Sequence, residues 1–201
     1  MTKIKLCGMK RVVDIQCVNT LKPEFIGFIF WPKSKRCVTP EEAAELKSIL
    51  NPDIAAVGVF VDESPETAAK LLNDGIIDAA QLHGAEDEEY IRTLRSLTDK
   101  PLIKAFRVQG PEDLKRAAEC STDSILLDAG KGDGVTFDWE LLNHISRPYF
   151  LAGGLDPENV RGAVDRFHPY AVDVSSGIET NGLKDADKMA AFVNAVRKES
   201  L

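Results

Sequence analysis

The chain has no pair of cysteines in C-x-x-C spacing and no cysteine–histidine grouping at zinc-ligand spacing, so neither a redox dithiol nor a metal centre is expected. Its four cysteines, Cys7, Cys17, Cys37 and Cys120, are scattered. The opening Met1-Thr2-Lys3-Ile4-Lys5 does not resemble a secretion leader, so they read as reduced thiols of a cytoplasmic protein. Of the three histidines, His144 and His168 fall in polar connections and read as surface residues. No apolar run nears the roughly 18 residues that cross a bilayer, so no membrane span is expected. Basic residues are the minority, 25 against 32 acidic, for a net charge of −7, which argues against a nucleic-acid or anionic-membrane partner. A small anionic ligand remains compatible, because steering depends on local charge, and Lys33, Lys35, Arg36 and Lys131 lie in loops that can supply it. A Walker A sequence is missing, and Gly130-Lys131-Gly132-Asp133-Gly134 lacks the G-x-G-x-x-G spacing of a dinucleotide loop.

What is there is a regular alternation. Apolar, β-branched stretches recur at Ile4–Cys7, Phe25–Phe30, Ala55–Val61, Ala79–His83, Leu102–Phe106, Ser124–Asp128, Tyr149–Ala152 and Ala171–Val174. Helical patterns lie between them. Thr39-Pro40-Glu41-Glu42 offers an N-cap, a proline and a capping-box glutamate, and Ser64-Pro65-Glu66 and Asp156-Pro157-Glu158 repeat the cap-plus-proline start. Gly110-Pro111-Glu112-Asp113 is a weaker version, and Asn73-Asp74-Gly75 is a stop. Eight strand–helix alternations in 201 residues predict one compact (β/α)8 barrel of parallel strands spanning residues 1–201. An open doubly wound sheet is the weaker alternative.

Two of these strands run into small, flexible residues: Tyr149-Phe150-Leu151-Ala152-Gly153-Gly154-Leu155, and then Ala171-Val172-Asp173-Val174-Ser175-Ser176-Gly177-Ile178-Glu179. Loops of this kind after the seventh and eighth strands of a barrel commonly enclose a phosphate. In a parallel barrel, reactive groups sit at the C-terminal strand ends. Those ends carry Cys7, then Arg36 in the loop after the second strand, Gln81 and His83 after the fourth, and Asp128 after the sixth. Each has a plainer reading: Cys7 as a small buried hydrophobe, Asp128 as a turn acceptor, Arg36 as a solvated charge, His83 as a strand terminator. Asp173 either faces the barrel mouth or supports the last loop. It is the joint placement at one end of eight strands that points to a site.

Several segments resemble phosphoribosylanthranilate isomerases, enzymes of tryptophan biosynthesis. They are Lys5-Leu6-Cys7-Gly8-Met9-Lys10, Gly27-Phe28-Ile29-Phe30 leading to Ser34-Lys35-Arg36-Cys37-Val38, Val57-Gly58-Val59-Phe60-Val61, Gln81-Leu82-His83-Gly84 and Leu126-Leu127-Asp128. Gly132-Asp133-Gly134-Val135-Thr136-Phe137-Asp138-Trp139, Leu151-Ala152-Gly153-Gly154-Leu155, Val174-Ser175-Ser176-Gly177-Ile178-Glu179 and Asn181-Gly182-Leu183-Lys184-Asp185 follow in the same order. Lys35 stands where the family usually has proline, and Lys131 and Asp133 where it usually has glycine and a small hydroxyl residue. These departures bear on substrate affinity: Lys35 is expected to loosen the loop holding Arg36, and Asp133 adds a negative charge near an anionic site.

The resemblance implies an Amadori rearrangement of an aminoaldose, N-(5′-phosphoribosyl)anthranilate, to an aminoketose, with no cofactor and no metal. Asp128 is then the general acid and Cys7 the general base, its pKa expected to be lowered by nearby cations or backbone dipoles. Arg36 would pair with the anthranilate carboxylate. Gly153, Gly154, Ser175, Ser176 and Gly177 would hold the phosphate of a small phosphorylated substrate, with Gln81, His83 and Asp173 lining the mouth. A monomer and a homodimer are both open. The alternatives are a barrel synthase acting on the ketose product, whose catalytic lysine and paired glutamates are missing here, and a non-catalytic barrel that senses a phosphorylated metabolite.

Overall fold

The computed structural model describes residues 1–128, 145 and 147–198. Lys131, Asp133, His144 and the Phe137-Asp138-Trp139 segment lie outside the described residues. The eight expected strands are all present: β1 (Lys3–Cys7), β2 (Phe25–Ile29), β3 (Ala55–Phe60), β4 (Ala79–Leu82), β5 (Leu102–Arg107), β6 (Ser124–Asp128), β7 (Tyr149–Ala152) and β8 (Ala171–Val174). They pair in parallel in that order, and β1 closes on β8 from Lys3↔Ala171 to Leu6↔Val174. Closure rules out the open sheet. Beyond β8 a short 3-10 turn (Ser176–Ile178) leads into a two-stranded hairpin, β9 (Glu179–Thr180) and β10 (Leu183–Lys184).

Helices α1 (Val12–Leu21), α2 (Pro40–Ser48), α3 (Pro65–Asn73), α4 (Glu88–Leu97), α5 (Pro111–Glu119), α6 (Val160–Phe167) and α7 (Ala186–Arg197) are the seven among the described residues. None of them is long and apolar enough to cross a membrane. The helix starts follow from local chemistry. Thr39 Oγ1 accepts from Glu42 N at 3.2 Å while Glu42 Oε2 accepts from Thr39 N at 2.8 Å, which closes a capping box ahead of α2. Ser64 caps α3 through Thr67 N. At Asp156-Pro157-Glu158 the expected cap bonds form, with Val160 N also donating to Asp156 O at 3.1 Å, but around a turn that precedes the regular helix. The Asp156 carboxylate accepts from Glu158 N and Asn159 N, both at 2.9 Å, so the chain first makes a turn and α6 begins at Val160.

Side chains alternate along each strand, and the apolar residues divide accordingly into two clusters. Ile4, Leu6, Ile26, Phe28, Ala56, Phe60, Ile125 and Leu127 face outward and pack beneath the helices. Phe25, Val57, Ala79, Ile103, Ala105, Leu126, Phe150, Ala152 and Ala171 fill the interior. The same period puts Lys5 and Cys7, Gln81 and His83, Asp128, and Asp173 on the inward face. The barrel is thus plugged with hydrocarbon below and polar above.

Candidate active site

Cys7 ends β1 on the inward face, with 5% of its surface exposed. Two residues below it, the fully buried Lys5 donates from Nζ to Asp173 Oδ1 across the β1–β8 seam at 2.9 Å. Asp173, on the inward face with 10% of its side chain exposed, is the counter-ion of this interior lysine. Burial works to strip Lys5 of its proton, but Asp173 and Cys7 outweigh it and the ammonium is stabilised. For Cys7 the expectation of a lowered pKa is corrected. Burial dominates and pushes the thiol up, with Lys5 and Lys184 opposing it and Asp173 adding to it.

Asp128 ends β6, partly exposed, with its Oδ2 3.7 Å from His83 Nε2. Gln81 is buried on β4, and its Nε2 lies 2.8 Å from His83 Nδ1. A neutral His83 accepting from that amide carries its proton on Nε2, toward Asp128; this tautomer is assigned from the hydrogen bonding. Gln81 Oε1 is a buried acceptor with no hydrogen-bond partner among the described residues.

Arg36 lies in the loop between β2 and α2, which is tied by Arg36 N to Ser34 Oγ, Cys37 N to Ser34 O, and Lys10 Nζ to Lys35 O. The Arg36 guanidinium is not a simple solvated charge: Nε and Nη2 grip both carboxylate oxygens of Glu179, the latter at 2.7 Å. Among the described residues the Nη1 edge meets no acceptor. Glu179 also accepts from Lys184 Nζ at 2.7 Å. Burial alone would raise the Glu179 pKa, but these two cations bring it from 4.5 to about 2. Lys184 is held below the usual lysine value by burial, which Glu179 only partly offsets.

The two small-residue loops meet beside Cys7. Gly153 and Gly154 both have positive φ, at 98° and 67°. A side chain at Gly177 would sit 2.0 Å from Leu155 O, so only glycine lets the loops after β7 and β8 touch. Ser176 and Gly177 open the 3-10 turn, where N–H groups have no acceptor inside the turn itself. The Ser175 hydroxyl is otherwise engaged, donating to Cys7 O at 3.2 Å and accepting from Lys184. Backbone donors are thus the anion-binding feature of these loops.

Three site residues, Lys5, Glu179 and Lys184, carried no role in the sequence reading. Lys5 was detectable as a charge on the same alternating face as Cys7. Lys184 is returned to Glu179 by the hairpin, whose Asn181-Gly182 turn has positive φ at both residues, the strongest short-range hairpin signal in a sequence.

The family model for N-(5′-phosphoribosyl)anthranilate (PRA) isomerase matches residues 4–195. An N-(5′-phosphoribosyl)anthranilate isomerase of Acetivibrio thermocellus is 44% identical over 212 residues, covering 98% of this chain and 97% of that one. The crystal structure of phosphoribosyl anthranilate isomerase from Thermotoga maritima superposes with a TM-score of 0.89 at 38% identity, covering 98% of this chain and 99% of that one. A structure of such an enzyme in complex with reduced 1-(o-carboxyphenylamino)-1-deoxyribulose 5-phosphate matches with a TM-score of 0.88, 38% identity and the same coverage. With the family model spanning nearly the whole sequence and the relatives aligned end to end, this chain belongs to the phosphoribosylanthranilate isomerase family.

Proposed function

We propose that the chain converts N-(5′-phosphoribosyl)anthranilate to 1-(2-carboxyphenylamino)-1-deoxyribulose 5-phosphate, as a cytoplasmic, single-barrel isomerase of tryptophan biosynthesis. The observation that carries this is the placing of Cys7 and Asp128 on the inward face at one end of a closed barrel, beside two glycine loops.

The reaction only moves protons within the substrate and needs no net oxidant. Asp128, as the acid, donates a proton to the furanose ring oxygen as the C1′–O bond breaks, and the anilino nitrogen's pair forms a C1′=N iminium. Cys7, as a thiolate, takes the C2′ proton; the C–H pair forms C1′=C2′ and the iminium π pair returns to nitrogen. The resulting enolamine loses its 2′-hydroxyl proton and gains one at C1′, giving the ketone. His83, with its proton on Nε2, orients Asp128. Gln81 Oε1, which has no partner among the described residues, accepts from a substrate hydroxyl. The Nη1 edge of Arg36 receives the anthranilate carboxylate while Glu179 holds the other edge. The phosphate takes the backbone N–H groups of Gly153, Gly154, Ser176 and Gly177, with Ser175 tying that loop to β1.

The test is conversion of the aminoaldose by Cys7→Ser and Asp128→Asn proteins. Each substitution is expected to cut turnover about 10²-fold or more with little change in KM. Near-parental turnover in either variant removes that residue from the mechanism.

A further inference from the structure

Lys5 is fully buried in the barrel interior, and its ammonium donates to Asp173 Oδ1 at 2.9 Å. An ammonium has three donors, so the bond to Asp173 leaves others for the Cys7 thiol, with which Lys5 also interacts. The floor beneath is hydrocarbon, including Phe25, Phe150 and Ala171. The next side chain up the same face of the strand is Cys7. An ion pair sunk in an apolar interior is often no more stabilising than hydrocarbon of the same volume. A buried lysine directly below Cys7 is explained if a second anion forms next to it during turnover.

The charged groups facing Cys7 are Lys5 from β1, Asp173 from β8, Lys184 from β10 and Arg36 from the loop after β2. Three of them are already engaged. Lys184 Nζ donates to Ser175 O, Ser175 Oγ and Glu179 Oε1, which uses its three donors. The Arg36 fork is closed on Glu179, and the Asp173 carboxylate is closed on Lys5. Lys5 is the cation on the same strand face as Cys7, one inward position below it.

We propose that Lys5 is a positioning residue for Cys7: its ammonium, anchored by Asp173, supplies the counter-charge and hydrogen-bond donor for the Cys7 thiolate. This rests on the reading of Cys7 as the general base. When the thiol ionises its proton passes to water, and Lys5 stays protonated throughout. Asp173 keeps the ammonium from leaning wholly on the thiolate, which preserves the basicity a proton-abstracting sulfur needs.

The test uses the full chain carrying Cys17→Ala, Cys37→Ala and Cys120→Ala, so that Cys7 is the single thiol, with alkylation by iodoacetamide followed across pH. Lys5→Met is expected to slow alkylation at neutral pH about tenfold or more, and raising the pH by about one unit per tenfold is expected to restore the rate. Restoration by pH separates a smaller thiolate population from a blocked thiol. If Lys5→Met alone fails to fold because Asp173 is stranded, Lys5→Met/Asp173→Asn keeps the interior neutral and is expected to show the same shift. An unchanged rate, or one lowered equally at every pH, overturns the proposal. The readout is independent of catalysis: a shifted alkylation profile with turnover intact upholds the Lys5–Cys7 coupling while removing Cys7 as base. An unshifted profile in a protein that Cys7→Ser inactivates does the reverse.

Discussion

Replacing Glu179 by glutamine keeps the shape of the side chain and removes the charge on which two cations converge. Glu179 is 7% exposed and Lys184 2%, whereas Arg36 is 30% exposed. The Lys184 contact is therefore the expensive one to break, and the Arg36 contact is discounted for solvent. Losing one partner of a buried ion pair costs about 3–5 kcal/mol, and partial solvation together with the retained amide oxygen brings the expected loss to about 2–3 kcal/mol. For a domain of this size that is a Tm lower by roughly 4–12 °C, read by thermal unfolding at neutral pH. The pH dependence follows from a carboxyl whose pKa is depressed on folding, from 4.5 to about 2. Its stabilisation is complete above the unfolded value and is lost as pH falls through the folded one. The gap between Glu179→Gln and the parent should hold near neutrality, narrow below 4.5 and close near 2. A Tm within about 2 °C of the parent, or a gap that widens in acid, would refute the assignment of Glu179 as the anchor of this cluster.

Two other outcomes follow from the same sector. Arg36→Met removes the Nη1 edge proposed for the substrate carboxylate and is expected to raise KM with a smaller effect on kcat, in steady-state kinetics; an unchanged KM would refute that contact. Lys10, Arg11, Lys35, Arg36 and Lys184 line one pocket with only Asp14 and Glu179 against them, so this sector is cationic although the chain carries −7. The expectation is that kcat/KM for the anionic aminoaldose falls as salt rises from low ionic strength, and a flat salt profile would count against steering by this sector.

The barrel was legible because its signals are local. β-branched runs bounded by small residues reproduced β6, β7 and β8 at their bounds, and Thr39 and Ser64 marked helix starts through hydrogen bonds three residues long. At Asp156 the boundary differs for a reason of the same scale: the carboxylate caps a first turn, and the regular helix starts only at Val160. What the sequence could not declare was long-range pairing. Arg36 and Glu179 are separated by 143 positions, and nothing local says that the fork of one is filled by the other. The sign of the Cys7 shift was missed similarly. Lysines near a thiol in sequence argue for a lowered pKa, but the dehydration that outweighs them is a property of the closed barrel.

Burial is also what makes the interior charges informative. A lysine and an aspartate facing one another across the β1–β8 seam could be replaced by hydrocarbon of similar volume, like the Phe25, Val57 and Phe150 around them, at little or no cost to folding. Likewise the buried Gln81 oxygen has no hydrogen-bond partner among the described residues. Sites where a fold departs from its own packing logic are where chemistry is expected, and these departures fall at the polar end of one barrel. Lys5 beneath Cys7 and Gln81 beside His83 thus point to the same mouth that the strand ends alone had marked, from physical grounds independent of strand order.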